Sequence, residues 1–201
     1  MLALAVLAAA GCGPASAPAT ESATRPALAT PAGSAVATPL PMETTEATMT
    51  DEDFSLTSGA FPDGGPIPKR FTCDGEDESP ELAWTGAPAD TESLALNVDD
   101  PDARGFVHWV VFDITGSRSG GLARGVSASP DAAPQGTNDF GRVGWGGPCP
   151  PSGTHHYRFR LFALDATLGL TGAPDADAVL RGAEGHVLEG ADLTATYKRA
   201  S

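Results

Sequence analysis

A mainly β fold is what this sequence predicts: a sandwich or distorted barrel of antiparallel and mixed strands, with one or two short helices at its periphery. Three observations predict it. Several short runs alternate apolar and polar residues with a period of two. The 201 residues hold 24 glycines and 18 prolines, which punctuate those runs as turns. One segment alone carries both a helix start and a helix stop.

The elements follow in order. Residues 1–10 are apolar throughout and run into Ala9-Ala10-Gly11-Cys12. This reads as the end of a lipoprotein signal peptide spanning 1–12, with Cys12 as the lipidated residue. A bilayer needs about 20 apolar residues, so a transmembrane helix is not expected here. The basic start usual for such a signal is missing, and an upstream start codon would supply it; a plain secretory signal is the rival reading. Residues 13–50 are rich in Ala, Pro, Thr, Ser and Glu and cannot bury enough apolar surface to order themselves, so a disordered, extended tether is expected. Residues 51–201 remain as one domain of about 150 residues, a size that buries close to 70% of its extended-chain surface.

Within that domain, strands are expected over 54–58, 70–72, 94–98, 106–114, 157–164 and 193–197. The alternation is clearest in two of them. Phe106, His108, Val110, Phe112 and Ile114 form one apparent face of the fourth run; Tyr157, Phe159, Leu161 and Ala163 form one face of the fifth, with His155 in phase at its head. A helix is expected over 175–184, with Asp175 as its N-cap after Pro174 and Gly185 at its end. The long loop over 115–145 is rich in Gly, Ser and Pro.

Function-bearing chemistry concentrates ahead of those two runs. Asp100-Pro101-Asp102-Ala103 leads to His108-Trp109, and Gly147-Pro148-Cys149-Pro150-Pro151 leads to His155-His156-Tyr157. Each is a proline turn feeding a strand with a histidine near its start. If the two runs lie side by side, Asp100, Asp102, His108, His155 and Tyr157 converge on one small pocket. A histidine on an inward face needs partners for its ring nitrogens, since an unpaired buried polar group costs about 1–3 kcal/mol. Asp100 and Asp102 are the expected partners; a core histidine above a capped turn is the plainer alternative. Apart from Cys12, the cysteines are Cys73 and Cys149. In an oxidising compartment they would pair, closing a loop of about 76 residues worth roughly 4 kcal/mol in the chain-entropy picture; two buried thiols are the alternative.

At these residues the chain resembles the phosphatidylethanolamine-binding protein family, in its bacterial Raf-kinase-inhibitor-like branch. The matching segments run in order from Phe71-Thr72-Cys73-Asp74-Gly75 and Ser79-Pro80, through Leu82-Ala83-Trp84-Thr85-Gly86-Ala87-Pro88 and Asp100-Pro101-Asp102-Ala103 with His108-Trp109. They continue through Gly136-Thr137-Asn138-Asp139-Phe140-Gly141, the proline turn and His155-His156-Tyr157, to Gly185-His186-Val187-Leu188. The resemblance implies a β domain with an anion pocket for phosphate or a phosphoethanolamine-type head group. Carried over residue by residue, that pocket would use Asp100, Asp102, His108, Gly147, Pro148, Pro150, Pro151, His155 and Tyr157. It also implies that the loop over 115–145 delivers Asn138-Asp139-Phe140-Gly141 towards the pocket. Glu81, Arg104 and His156 depart from the family pattern, the last two beside the proposed pocket.

The expected protein is therefore a non-enzymatic binding protein for a small phosphorylated or otherwise anionic ligand. It would be exported and held at the bacterial cell envelope, at the outer face of the cytoplasmic membrane or in the periplasm, with a lipid anchor as its membrane attachment. Two carboxylates beside a dianion are unfavourable, so a histidine is expected to carry charge in the complex. The alternative is an interaction module that inhibits a partner kinase or protease; the oligomeric state stays open, a homodimer included. A hydrolase is the weakest reading, because no Gly-x-Ser-x-Gly elbow occurs and Ser152-Gly153 fits turn chemistry. Neither a cofactor nor a metal is expected, as the histidines lack zinc-site spacing. The formal net charge of −14 opposes nucleic-acid binding, which demands a basic surface.

Overall fold

The computed structural model describes residues 52–129 and 132–199. The signal segment 1–12 with Cys12 and the tether 13–50 lie outside the described residues. Seven strands form in chain order: β1 (Ser55–Thr57), β2 (Leu82–Thr85), β3 (Ser93–Asp100), β4 (Phe106–Thr115), β5 (Gly120–Leu122), β6 (Thr154–Leu164) and β7 (Val187–Lys198), with one α-helix, α1 (Ala176–Ala183), before β7. They make two sheets, a three-stranded one in the order β1-β2-β5 and a four-stranded one in the order β4-β3-β6-β7. All pairings between these strands are antiparallel, and parallel pairing occurs at the isolated bridges Pro66–Thr196 and Thr137–Asp175. The result is a sandwich.

The main core lies between the sheets, where Leu56, Leu82 and Trp84 meet Leu94, Leu96, Val98, Trp109, Phe159 and Leu161. A second cluster joins Ala95, Val110, Phe112 and Leu164 to Ala176, Val179 and Ala183 of α1. That helix starts where expected: the Asp175 carboxylate accepts from the Ala178 N–H at 2.8 Å, satisfying one of the free amides of its first turn.

Three expectations are corrected. Residues 70–72 are no strand: Lys69–Phe71 is a 3₁₀ turn after Pro68 that buries Phe71, closed by the Thr72 amide and hydroxyl on the Lys69 carbonyl. β2 and β5 were not foreseen, because four and three residues are too short to show a period. β7 begins six residues before its expected start, since Val187, Leu188, Glu189 and Gly190 are all exposed there and show no alternation.

The single apolar face expected on β4 also splits. Opposite β3, the register shifts between Val98–Trp109 and Asp99–Val107, and again between Leu96–Val111 and Leu94–Ile114. Such bulges insert unpaired residues and turn side chains to a new face. Val110 and Phe112 therefore face α1, while Trp109, Val111 and Ile114 face the other sheet. Asp113, in the second bulge, takes φ 48°, and its carboxylate accepts from the Leu168 and Gly169 amides. His108 is the extra residue of the first bulge.

Candidate functional site

β4 and β6 do not pair, contrary to the side-by-side expectation. β3 lies between them and its last residue, Asp100, completes the site. Asp100 is 3% exposed and begins the 3₁₀ turn Pro101–Ala103: its Oδ1 accepts from the Ala103 amide at 3.0 Å, with Pro101 at the first helical position, where a missing N–H does no harm. Arg104 closes that turn in the left-handed region, φ 64°, ahead of Gly105. The other oxygen, Oδ2, accepts from His155 Nδ1 at 2.6 Å. His155 is thus oriented with Nε2 as the edge left for a ligand.

His108 does not pair with either aspartate. Its Nδ1–H donates to the Gly146 carbonyl at 2.6 Å, and because a carbonyl only accepts, that bond fixes the tautomer with Nε2 free of a proton when the ring is neutral. Burial holds the His108 imidazole below its ordinary value, against the opposing pull of the Gly146 carbonyl and of Asp100, Asp139 and Asp77. The ring stands edge-on to Phe106, Phe140 and Tyr157, at centroid distances of 5.3, 5.4 and 5.1 Å. The Tyr157 side chain is fully buried, and its hydroxyl has no hydrogen-bond partner in the protein. Burial raises the phenol above its ordinary value, so it remains an O–H donor.

A cavity of about 250 Å³ opens between these groups, lined by Asp100, Ala103, Phe106, His108, Phe140, Cys149, Pro150, Pro151, His155 and Tyr157. Of the residues expected here, Asp100, His108, Pro150, Pro151, His155 and Tyr157 come together. Three do not line it. Asp102 turns outwards, where its Oδ2 accepts from both the amide and Nδ1 of His156 at 2.8 Å; these bonds hold its carboxyl below the usual range. Gly147 and Pro148 stand behind the wall: the Gly147 amide donates to Asp77 Oδ1 at 2.6 Å and the Pro148 carbonyl accepts from the Cys73 amide at 3.2 Å. Nor do Arg104 and His156, two of the departures from the family pattern, line the cavity.

Residue-type reasoning missed Phe106, Ala103 and the bracing role of Asp77. Phe140 arrives with its loop, as the resemblance implied. Asn138 shapes that loop, its Oδ1 accepting from the Phe140 and Arg142 amides and its Nδ2 donating to the Gly144 carbonyl; Asp139 ties it to β4 through the Val107 amide. Cys73 and Cys149 form a disulfide, with Cα atoms 5.4 Å apart.

Fold and site together define a β sandwich with one small, partly aromatic pocket at the end of its larger sheet. The chain belongs to the phosphatidylethanolamine-binding protein family, whose sequence model matches residues 57–198. It is 49% identical over 150 residues to a UPF0098 protein of Methanothermobacter thermautotrophicus, covering 72% of this chain and 99% of the relative. It is 42% identical over 142 residues to a Mycobacterium tuberculosis protein named "Putative lipoprotein LppC", covering 67% and 69%. Among solved structures, CT736 of Chlamydia trachomatis superposes with a TM-score of 0.68 at 36% identity, covering 73% of this chain and 98% of that one. YbcL of Escherichia coli, described as a member of the mammalian PEBP family, gives 0.67 at 31% identity, covering 73% and 99%.

Proposed function

We propose that this domain is a non-enzymatic binding protein that takes up a small phosphorylated anion, inorganic phosphate or a phosphoethanolamine-type head group, between His108, His155 and Tyr157. The observation that carries the reading is the Tyr157 hydroxyl: a buried donor with no protein partner, on the wall of a cavity shared with two imidazoles whose Nδ1 atoms are already engaged. Buried polar groups are almost always paired, and an anionic oxygen would complete this one. Cavity size sets the ligand class, since about 250 Å³ suits a head group and not its acyl chains. Ala103, Phe106, Phe140, Pro150 and Pro151 give the organic part an apolar wall.

Charge decides the protonation state. No lysine or arginine lines the cavity, and the Asp100 carboxylate does. A phosphoryl dianion beside that carboxylate is favourable only if the imidazoles supply the compensating charge. The bond from His155 Nδ1 to Asp100 leaves Nε2 facing the ligand, and His108, neutral in the free protein, takes up a proton with the ligand and donates through its own Nε2. Binding and protonation are coupled.

The same reading places the protein at the cell envelope, anchored through Cys12. Two facts support it: LppC bears a lipoprotein's name, and a disulfide fits an oxidising compartment. No helix among the described residues is long and apolar enough to cross a membrane.

Calorimetric titration with inorganic phosphate and with phosphoethanolamine tests the pocket. Wild type should bind, and His108→Ala and His155→Ala should each lose about tenfold or more while keeping a cooperative melt. Binding that survives both substitutions would place the ligand elsewhere.

A further inference from the structure

We propose that the Cys73–Cys149 disulfide is a redox latch on the pocket wall, so that reduction loosens the wall and weakens ligand capture; the second half of this rests on the anion-pocket reading above. Cys149, Pro150 and Pro151 line the cavity directly. Prolines have no N–H to anchor them, and among the described residues no hydrogen bond ties residues 149–152 to the rest of the protein. Regular pairing resumes only at Thr154, opposite Lys198. Among the described residues the bridge is therefore the one bond from this stretch to the body of the domain, which otherwise holds it by packing, with Pro150 buried.

Its other end is firm. Thr72 is fully buried, and its hydroxyl donates to the Lys69 carbonyl at 2.8 Å. Asp74 accepts from the Tyr197 hydroxyl at 2.8 Å and from Arg199 at 2.9 Å. A hydrogen-bonded anchor thus holds a wall that lacks hydrogen bonds of its own through one covalent bond. That bond is within reach of reductant, because Cys73 is exposed while Cys149 is half-buried against the pocket.

The exchange balances with a dithiol as reductant. Its thiolate attacks the Cys73 sulfur, the S–S bond breaks, and Cys149 leaves as a thiolate that takes a proton. The second thiol of the reductant then attacks the mixed disulfide at its own sulfur and releases Cys73, which is also protonated. Two electrons pass from the dithiol, which becomes a disulfide, to the protein. Freed of the bridge, the 149–152 segment samples positions in which the cavity is incompletely walled, and apparent affinity falls in proportion to the closed fraction.

The test compares the full chain oxidised, reduced with dithiothreitol, and as the Cys73→Ser/Cys149→Ser variant. The readouts are the backbone order parameter of Cys149 (position 149 in the variant), hydrogen exchange at the position 73 and Gly147 amides, and titration with inorganic phosphate. The expected result is a preserved fold, with unchanged protection in β3, and a drop in the order parameter from about 0.85 to below about 0.6. Exchange at positions 73 and 147 should quicken, and phosphate binding should weaken about tenfold, as for a wall closed about a tenth of the time. Reoxidation should restore both in the wild type. An equally ordered position 149 with equal affinity would overturn the proposal, and so would global unfolding on reduction, which would make the bridge a structural staple only. If even the oxidised protein fails to bind phosphate, the anion-pocket reading falls and the order parameter alone decides whether the bridge is a latch.

Discussion

Tyr157→Phe should stabilise the free domain and weaken its ligand binding, two effects of opposite sign from one oxygen atom. The ring itself is fully buried and packs edge-on against His108, contacts that phenylalanine keeps. What goes is a hydroxyl buried without a protein partner, and such a group costs about 1–3 kcal/mol. The lower end applies, because the hydroxyl lies beside an open cavity, so the free domain should gain about 1 kcal/mol. Unfolding entropy near 2.1 cal/mol/K per residue gives about 0.3 kcal/mol/K for about 150 residues, hence a melting temperature raised by about 3 °C. In the complex the same hydroxyl donates to an anionic oxygen, a bond worth about 1.5–3 kcal/mol, so phosphate should bind about ten- to a hundredfold more weakly. Scanning calorimetry of the free proteins and titration with inorganic phosphate measure the two numbers. A lowered melting temperature together with unchanged affinity would refute the reasoning, since the hydroxyl would then be satisfied inside the protein and idle towards the ligand.

Two other perturbations test the site's electrostatics and its backing. Burial lowers the His108 imidazole in the fold, so the unfolded chain binds more protons once pH drops into the ordinary histidine range; stability is intact above about pH 7.5 and is lost as pH falls from about 6.5 towards the folded value. Melting temperatures between about pH 7.5 and 5.5 should slope less in His108→Asn than in wild type, and saturating phosphate should flatten the wild-type slope, because the complex takes up the proton that the free fold refuses. Phosphate affinity should accordingly be higher near pH 5.5 than near pH 8, and equal affinity would contradict the coupling. Asp74 and Asp102, held below the usual carboxylate range by Arg199 and His156, release their contribution only at lower pH and do not confuse this window. Gly147→Ala would set a Cβ 2.5 Å from Asp77 Oδ1, 2.7 Å from the Phe71 carbonyl oxygen and 2.8 Å from Thr72 Cα. Backbone atoms yield little, so a loss of about 1–3 kcal/mol, or about 3–9 °C, is expected in thermal melts; wild-type stability would show that the turn does not pack against that segment.

Much of this arrangement could be read from residue types, and what could not has a physical cause in each case. Asp175 and Gly185 bracket a helix whose signals are local, and β6 alternates cleanly because no bulge interrupts Tyr157 to Ala163 in its pairing with β7. β4 misleads. Its spacing implies one apolar face, but the two bulges opposite β3 divide that face between two cores. The strand expected over 94–98 stopped short because Asp99 and Asp100 look like loop residues. Both are in fact buried within β3, Asp99 against Arg158 at 2.8 Å and Asp100 against His155 at 2.6 Å. Each partner lies on β6 and becomes a neighbour only through the pairing of the two strands.

His108 likewise pairs with a carbonyl where an aspartate is expected. Carboxylates are visible in a sequence, whereas the Gly146 carbonyl that holds its Nδ1 is a backbone atom delivered by a loop 38 residues away. The difference matters chemically. A His108 paired with an aspartate would be charged in the free protein and a ready donor; paired with a carbonyl and buried, it is neutral and offers a lone pair. The two imidazoles are therefore unequal. His155 is held by a carboxylate at 2.6 Å, and His108 sits where charge appears only with an anion to meet it. A site built in this way becomes an anion receptor through the proton that arrives at His108 with the ligand.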